Sequence, residues 1–144
     1  MNFFSKRKRI IKKTVVNTVK AFTDRTPEIY NNFFYGEFDS DPKKLVICYL
    51  FETDAELKYA EISGFCDELE KLTIENLISS GYPKNAFEDT KTESLEKVIA
   101  VKSGAEEDIQ RVFDLLENKK AKVAFTTQED IDKKANGDYH LYFQ

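Results

Sequence analysis

An α+β fold, with a mostly antiparallel sheet of four to five strands packed against three or more helices, is what this sequence predicts. Three observations carry that expectation. Two aromatic and β-branched runs flank the turn-rich "DSDPKK", the pattern of a β-hairpin. Capping boxes precede stretches with helical apolar spacing, and a third β-rich run follows late in the chain. At 144 residues, 41% hydrophobic and 33% charged, the chain has the size and composition of one globular domain spanning 1–144, with a basic helical arm over about 1–25.

The elements follow in chain order. Ile11, Val15, Val19 and Phe22 recur at helical spacing, and Pro27 marks the latest point at which that helix ends. The β-branched run "TVVNTV" opposes the helix, because branched side chains lose rotamer freedom there. The hairpin "NNFFYGEFDSDPKKLVICYLFET" places strands near 33–38 and 45–52. Its second arm is apolar at every position from Leu45 to Phe51, which predicts burial on both faces and a central place in the sheet.

Thr53 and Glu56 in "TDAE" form a capping box for a short helix that runs to Gly64, and Asp67 is the expected cap of the next helix. That helix stops at "SGYP", where Gly81 takes the left-handed conformation and Pro83 forbids continuation. Ser103 and Glu106 repeat the box ahead of Ile109, Val112, Phe113 and Leu116. "TESLEKVIAVKSG" and "FTTQEDIDKKANG" resemble each other weakly, the second reading as a strand near 122–127, a capped helix and a stop at Gly137. Residues 96–102 fit either a helix or a fifth strand, since a four-residue apolar run does not fix the period. The closing "NGDYHLYFQ" shares its last four residues with a protease-cleavage tag but reads as a native strand near 138–143.

Several function classes are excluded or weakened. With five Gly in all, the chain contains neither "GxGxxG" nor "GxxxxGK[ST]", so those routes to nucleotide binding are closed. The pair Asp39 and Asp41 lacks the further ligands of a calcium loop and reads as turn chemistry ahead of Pro42; no metal and no cofactor is expected. Cys48 and Cys66 have no metal-ligand spacing and read as small core hydrophobes of a reducing compartment. The basic start is followed by no apolar signal-peptide segment, and no run approaches the roughly 20 residues of a membrane span, so a cytoplasmic address is expected.

Three functional readings remain. The leading one is a non-enzymatic cytoplasmic protein-interaction module that uses an acidic and aromatic surface. Tyr30, Phe33, Phe34, Tyr35 and Phe38 crowd one short stretch beside Asp39 and Asp41, and exposed aromatics mark protein contacts. The second is a small hydrolytic enzyme in which His140, the only histidine, acts with Glu52 or Asp54 at the end of the buried strand. The third is weak binding of nucleic acid or an anionic surface by the arm. Residues 1–25 hold eight Lys or Arg, among them Lys6, Arg7, Lys8, Arg9, Lys12 and Lys13, against Asp24 alone, so a chain of net charge −4 divides into an arm at +7 and a remainder at −11. Removal of residues 1–13 is expected to leave the body folded, because these charges precede most of the apolar stripe.

Overall fold

The computed structural model describes residues 3–88 and 120–136. In chain order these form α1 (Phe3–Ala21), β1 (Asn31–Tyr35), a 3-10 turn (Pro42–Lys44), β2 (Val46–Phe51), α2 (Asp54–Ile62), α3 (Phe65–Ser79), a second 3-10 turn (Lys84–Phe87), β3 (Lys122–Thr127) and α4 (Gln128–Ala135). The strand order is β1-β2-β3. β1 and β2 pair antiparallel with Phe34 opposite Ile47, whereas β2 and β3 pair parallel with Ile47 opposite Val123.

This corrects the expected sheet. Among the described residues it has three strands and is mixed, not four to five mostly antiparallel strands. A parallel pair needs a long crossover, and α2 and α3 both lie between β2 and β3 in the chain. The continuous apolar run of β2, buried at all six positions, is the mark of a strand covered on both faces in a parallel setting. The strands expected near 138–143 and 96–102, and the helix after Ser103, lie outside the described residues.

Local chemistry sets the element ends. β1 stops at Tyr35, short of the expected Phe38, because Gly36 has φ +107° and a Cβ there would lie 1.9 Å from the Lys44 carbonyl oxygen. No other residue fits that turn. Thr53 caps α2 as expected, its hydroxyl accepting the Glu56 amide at 3.2 Å and donating to the Glu56 carboxylate at 3.0 Å. α3 begins two residues before the expected cap: Gly64, at φ +86°, is its N-cap, and Asp67 sits in the first turn, where a negative charge suits the helix dipole. Its C-terminus closes as predicted, with the Tyr82 amide donating to the Leu77 carbonyl at 2.9 Å and the Gly81 amide to Ile78 at 3.1 Å.

β2 separates two apolar clusters. Ile47, Tyr49 and Phe51 face the larger one, which gathers Ile11 and Val15 of α1 with Phe65, Leu69 and Leu77 of α3. Cys48 and Leu50 face Ile131 of α4, with Phe33 and Ala124 packed alongside. The buried Tyr49 hydroxyl lies 2.8 Å from Thr73 Oγ1. Thr73 already donates to the Leu69 carbonyl at 2.6 Å, so Tyr49 is the donor to Thr73, and that bond ties the central strand to α3.

The N-terminal helix is part of this core. Its face Ile11, Thr14, Val15 and Thr18 is buried, as is Phe22 just beyond its end, and burying one large apolar side chain such as Ile11 contributes about 1.5–3 kcal/mol. Ile11 is fully buried, so loss of residues 1–13 removes a core side chain, which weighs against the expectation of a dispensable arm.

Candidate functional site

The parallel strands β2 and β3 end side by side, and each leads directly into a helix N-terminus. Thr53 caps α2 and Thr127 caps α4 by accepting the Asp130 amide at 2.9 Å. The two starts also cap each other. Glu129 of α4 accepts the Asp54 amide of α2 at 2.9 Å, and the Thr127 hydroxyl donates to the Asp54 carboxylate. Lys133 pairs with Asp54 at 3.4 Å and with Glu129 at 3.3 Å, and these carboxylates raise its pKa. Asp54 is therefore engaged in holding two helices. Glu52 is exposed, and its carbonyl accepts the Glu129 amide at 3.1 Å. His140 lies outside the described residues.

Neither thiol is prepared for nucleophilic work. Both are free and buried; burial pushes the Cys48 thiol up to about 12, while burial with Glu61, Asp67 and Glu70 nearby pushes Cys66 up to about 11. An attacking cysteine needs the opposite shift. A small recess of about 390 Å³ beside Cys66, lined also by Glu61, Asp67 and Phe125, is thus acidic and chemically quiet. Among the described residues no three His, Cys, Asp or Glu side chains are grouped to hold a metal ion. No helix among them is long and apolar enough to cross a membrane.

The aromatic hairpin is divided by the fold. Phe38 is buried and meets Phe34 edge-on at 5.7 Å; Phe34 packs on the larger cluster, while Phe33 packs on the smaller and stacks on Tyr35 at 6.1 Å. Only Tyr30 and Tyr35, at 51% and 38% exposed, offer substantial aromatic surface. The nearby acids are largely committed. Asp41 accepts the Lys43 amide at 3.0 Å and Glu37 pairs with Lys44 at 3.8 Å, whereas Asp39 Oδ1 is buried without a hydrogen-bond partner among the described residues; Arg7 reaches over from α1 to donate to the Phe38 and Asp39 backbone carbonyls at 2.5 and 3.1 Å.

A surface cleft of about 650 Å³ lies between the segment after α1 and the start of α2. Its lining includes Asp24, Arg25, Pro27, Glu28, Glu56 and Tyr59. Pro27 is buried and supplies the floor, while Tyr59 is 58% exposed. Arg25 is turned away from a free role: its guanidinium stands over Phe22 and Phe65 at 5.0 and 5.3 Å and pairs with Glu68 at 2.6 Å. Glu56 belongs to the cap of α2, which leaves Asp24 and Glu28 as exposed carboxylates on the rim.

Sequence reasoning missed this cleft. The signal was present only as separate pieces, a loop "TDRTPE" and a tyrosine on a helix, which nothing in their spacing brings together. Comparison of the chain with known protein families, curated proteins and solved structures returns no match.

Proposed function

We propose that the protein is a non-enzymatic cytoplasmic interaction module that takes a basic segment of a partner protein. The observation that carries this reading is the cleft, where Asp24, Glu28 and Glu56 surround an exposed tyrosine and an apolar floor. A Lys or Arg side chain lies well over a tyrosine face, at about 0.5–1 kcal/mol for an exposed site, while its head meets the carboxylates. The remainder of the chain at −11 favours encounter with a basic partner over a polyanion. Two free, buried thiols suit a reducing compartment. Tyr30 and Tyr35 extend the aromatic surface of the interaction reading, with a smaller share than the crowded hairpin implied.

The test is titration of fluorescent Lys- and Arg-rich peptides into the protein and its variants. Tyr59→Ala is expected to weaken binding about 3- to 10-fold, as loss of a partly exposed aromatic contact should. Asp24→Asn with Glu28→Gln is expected to weaken it about 2- to 10-fold, in the range of exposed charge pairs. Glu75→Gln, on the exposed side of α3, removes a charge away from the cleft and is expected to change little. Equal losses in all three variants would mean diffuse attraction to the acidic body, and the cleft would have no role.

A further inference from the structure

We infer that the solvent face of α1 is a binding surface for the phosphate backbone of nucleic acid. At about 100° per residue, Arg9, Lys12, Lys13 and Lys20 fall on one side of the helix, opposite the buried Ile11, Thr14, Val15 and Thr18. All four are exposed. Lys6 and Lys8 flank them, also exposed. None of these six cations is in an ion pair among the described residues, although the chain has 26 acidic residues. Two other arm cations do dock on the protein among the described residues: Arg7 through the Phe38 and Asp39 backbone carbonyls, and Arg25, beyond the end of α1, through Glu68.

The opposite face is locked into the core, so the cations are held in a fixed row. From Lys6 to Lys20 that row is about 21 Å long at 1.5 Å per residue. A rigid line of positive charge matches a linear polyanion. A lipid surface is the poorer fit, because interfacial helices insert an apolar face and here that face is occupied by α3 and the sheet; Val16 is the one large apolar side chain exposed along the row.

If the four central cations each neutralise a phosphate, log affinity falls against log salt with a slope of about −3.6, so tripling the salt weakens binding about 50-fold. The remainder of the chain at −11 limits the contact to low salt, and contacts made only to phosphates carry no sequence preference. The experiment is fluorescence anisotropy of a short DNA duplex between about 50 and 150 mM salt, repeated with Lys12→Gln/Lys13→Gln, for which the slope should drop to about −1.8. Both positions are exposed, so an unchanged melting temperature shows that the variant is folded. A slope that does not respond to the double substitution overturns the proposal. So does binding to anionic lipid vesicles in the absence of binding to the duplex, and so does absence of duplex binding at the lowest salt.

Discussion

Replacing Ile11 with Ala asks whether α1 is an arm or a wall of the core. Ile11 is fully buried and joins the cluster that contains Tyr49, Phe65 and Leu77. Deleting a buried isoleucine to alanine costs about 2–5 kcal/mol, the transfer of the lost carbons plus the cavity they leave. Taking about 3 kcal/mol, and an unfolding entropy of about 2.1 cal/mol/K per residue over 144 residues, or about 0.3 kcal/mol/K, the melting temperature should fall by about 10 °C. Val16→Ala is the matched control, because Val16 is 53% exposed on the other face and its truncation should stay within about 0.5 kcal/mol. Differential scanning calorimetry on the two variants decides the matter. An Ile11→Ala protein that melts within about 2 °C of the parent would refute the core role of α1, and with it the claim that its cations are held in a rigid row.

Two further outcomes follow from the packing and the thiols. Gly36→Ala must push a Cβ against the Lys44 carbonyl in a left-handed conformation and is expected to cost about 3 kcal/mol or more, whereas Gly81→Ala, whose Cβ would meet only Ile10 Cδ1 at an ordinary 3.8 Å, should cost about 1–2 kcal/mol; urea midpoints in the reverse order would contradict the turn geometry. Cys48 and Cys66 have folded pKa values of about 12 and about 11 against an ordinary 9.0, so the unfolded chain loses its thiol protons first, and the stability present below pH 9 should decline as pH rises from about 9 towards 12. A Cys48→Ala/Cys66→Ala protein should show a shallower alkaline decline, and an identical one would show that other groups control it.

What the sequence made legible was local. Each of Thr53, Gly81 and the turn before Pro42 works through neighbours within about five residues, so its consequence could be read without the fold. The buried run of β2 was equally plain, and its central place in the sheet followed from it. Strand direction was not legible, because it depends on the path of the chain between Phe51 and Lys122 and not on either strand. The same limit applied to the site. Phe38 reads like Tyr30 in sequence, yet the fold buries one and leaves the other 51% exposed. Asp24, Glu28 and Tyr59 meet only because the fold brings the segment after α1 beside the start of α2.

The parallel pairing also explains where function is to be sought. Parallel strands ending together direct helix N-termini to one edge, and in open α/β sheets that edge commonly receives anionic ligands. Here it is filled by the protein's own carboxylates: Asp54 takes the Thr127 hydroxyl, Glu129 takes the Asp54 amide, and Lys133 balances both. An incoming phosphate would have to displace two carboxylates already bonded to the amide and the hydroxyl it needs, and would meet their repulsion on approach. The edge therefore works as a clamp between α2 and α4. Among the described residues, exposed charge without an ion pair lies instead on the rim of the cleft at Asp24 and Glu28 and along the solvent face of α1, two surfaces with interactions left to offer a partner.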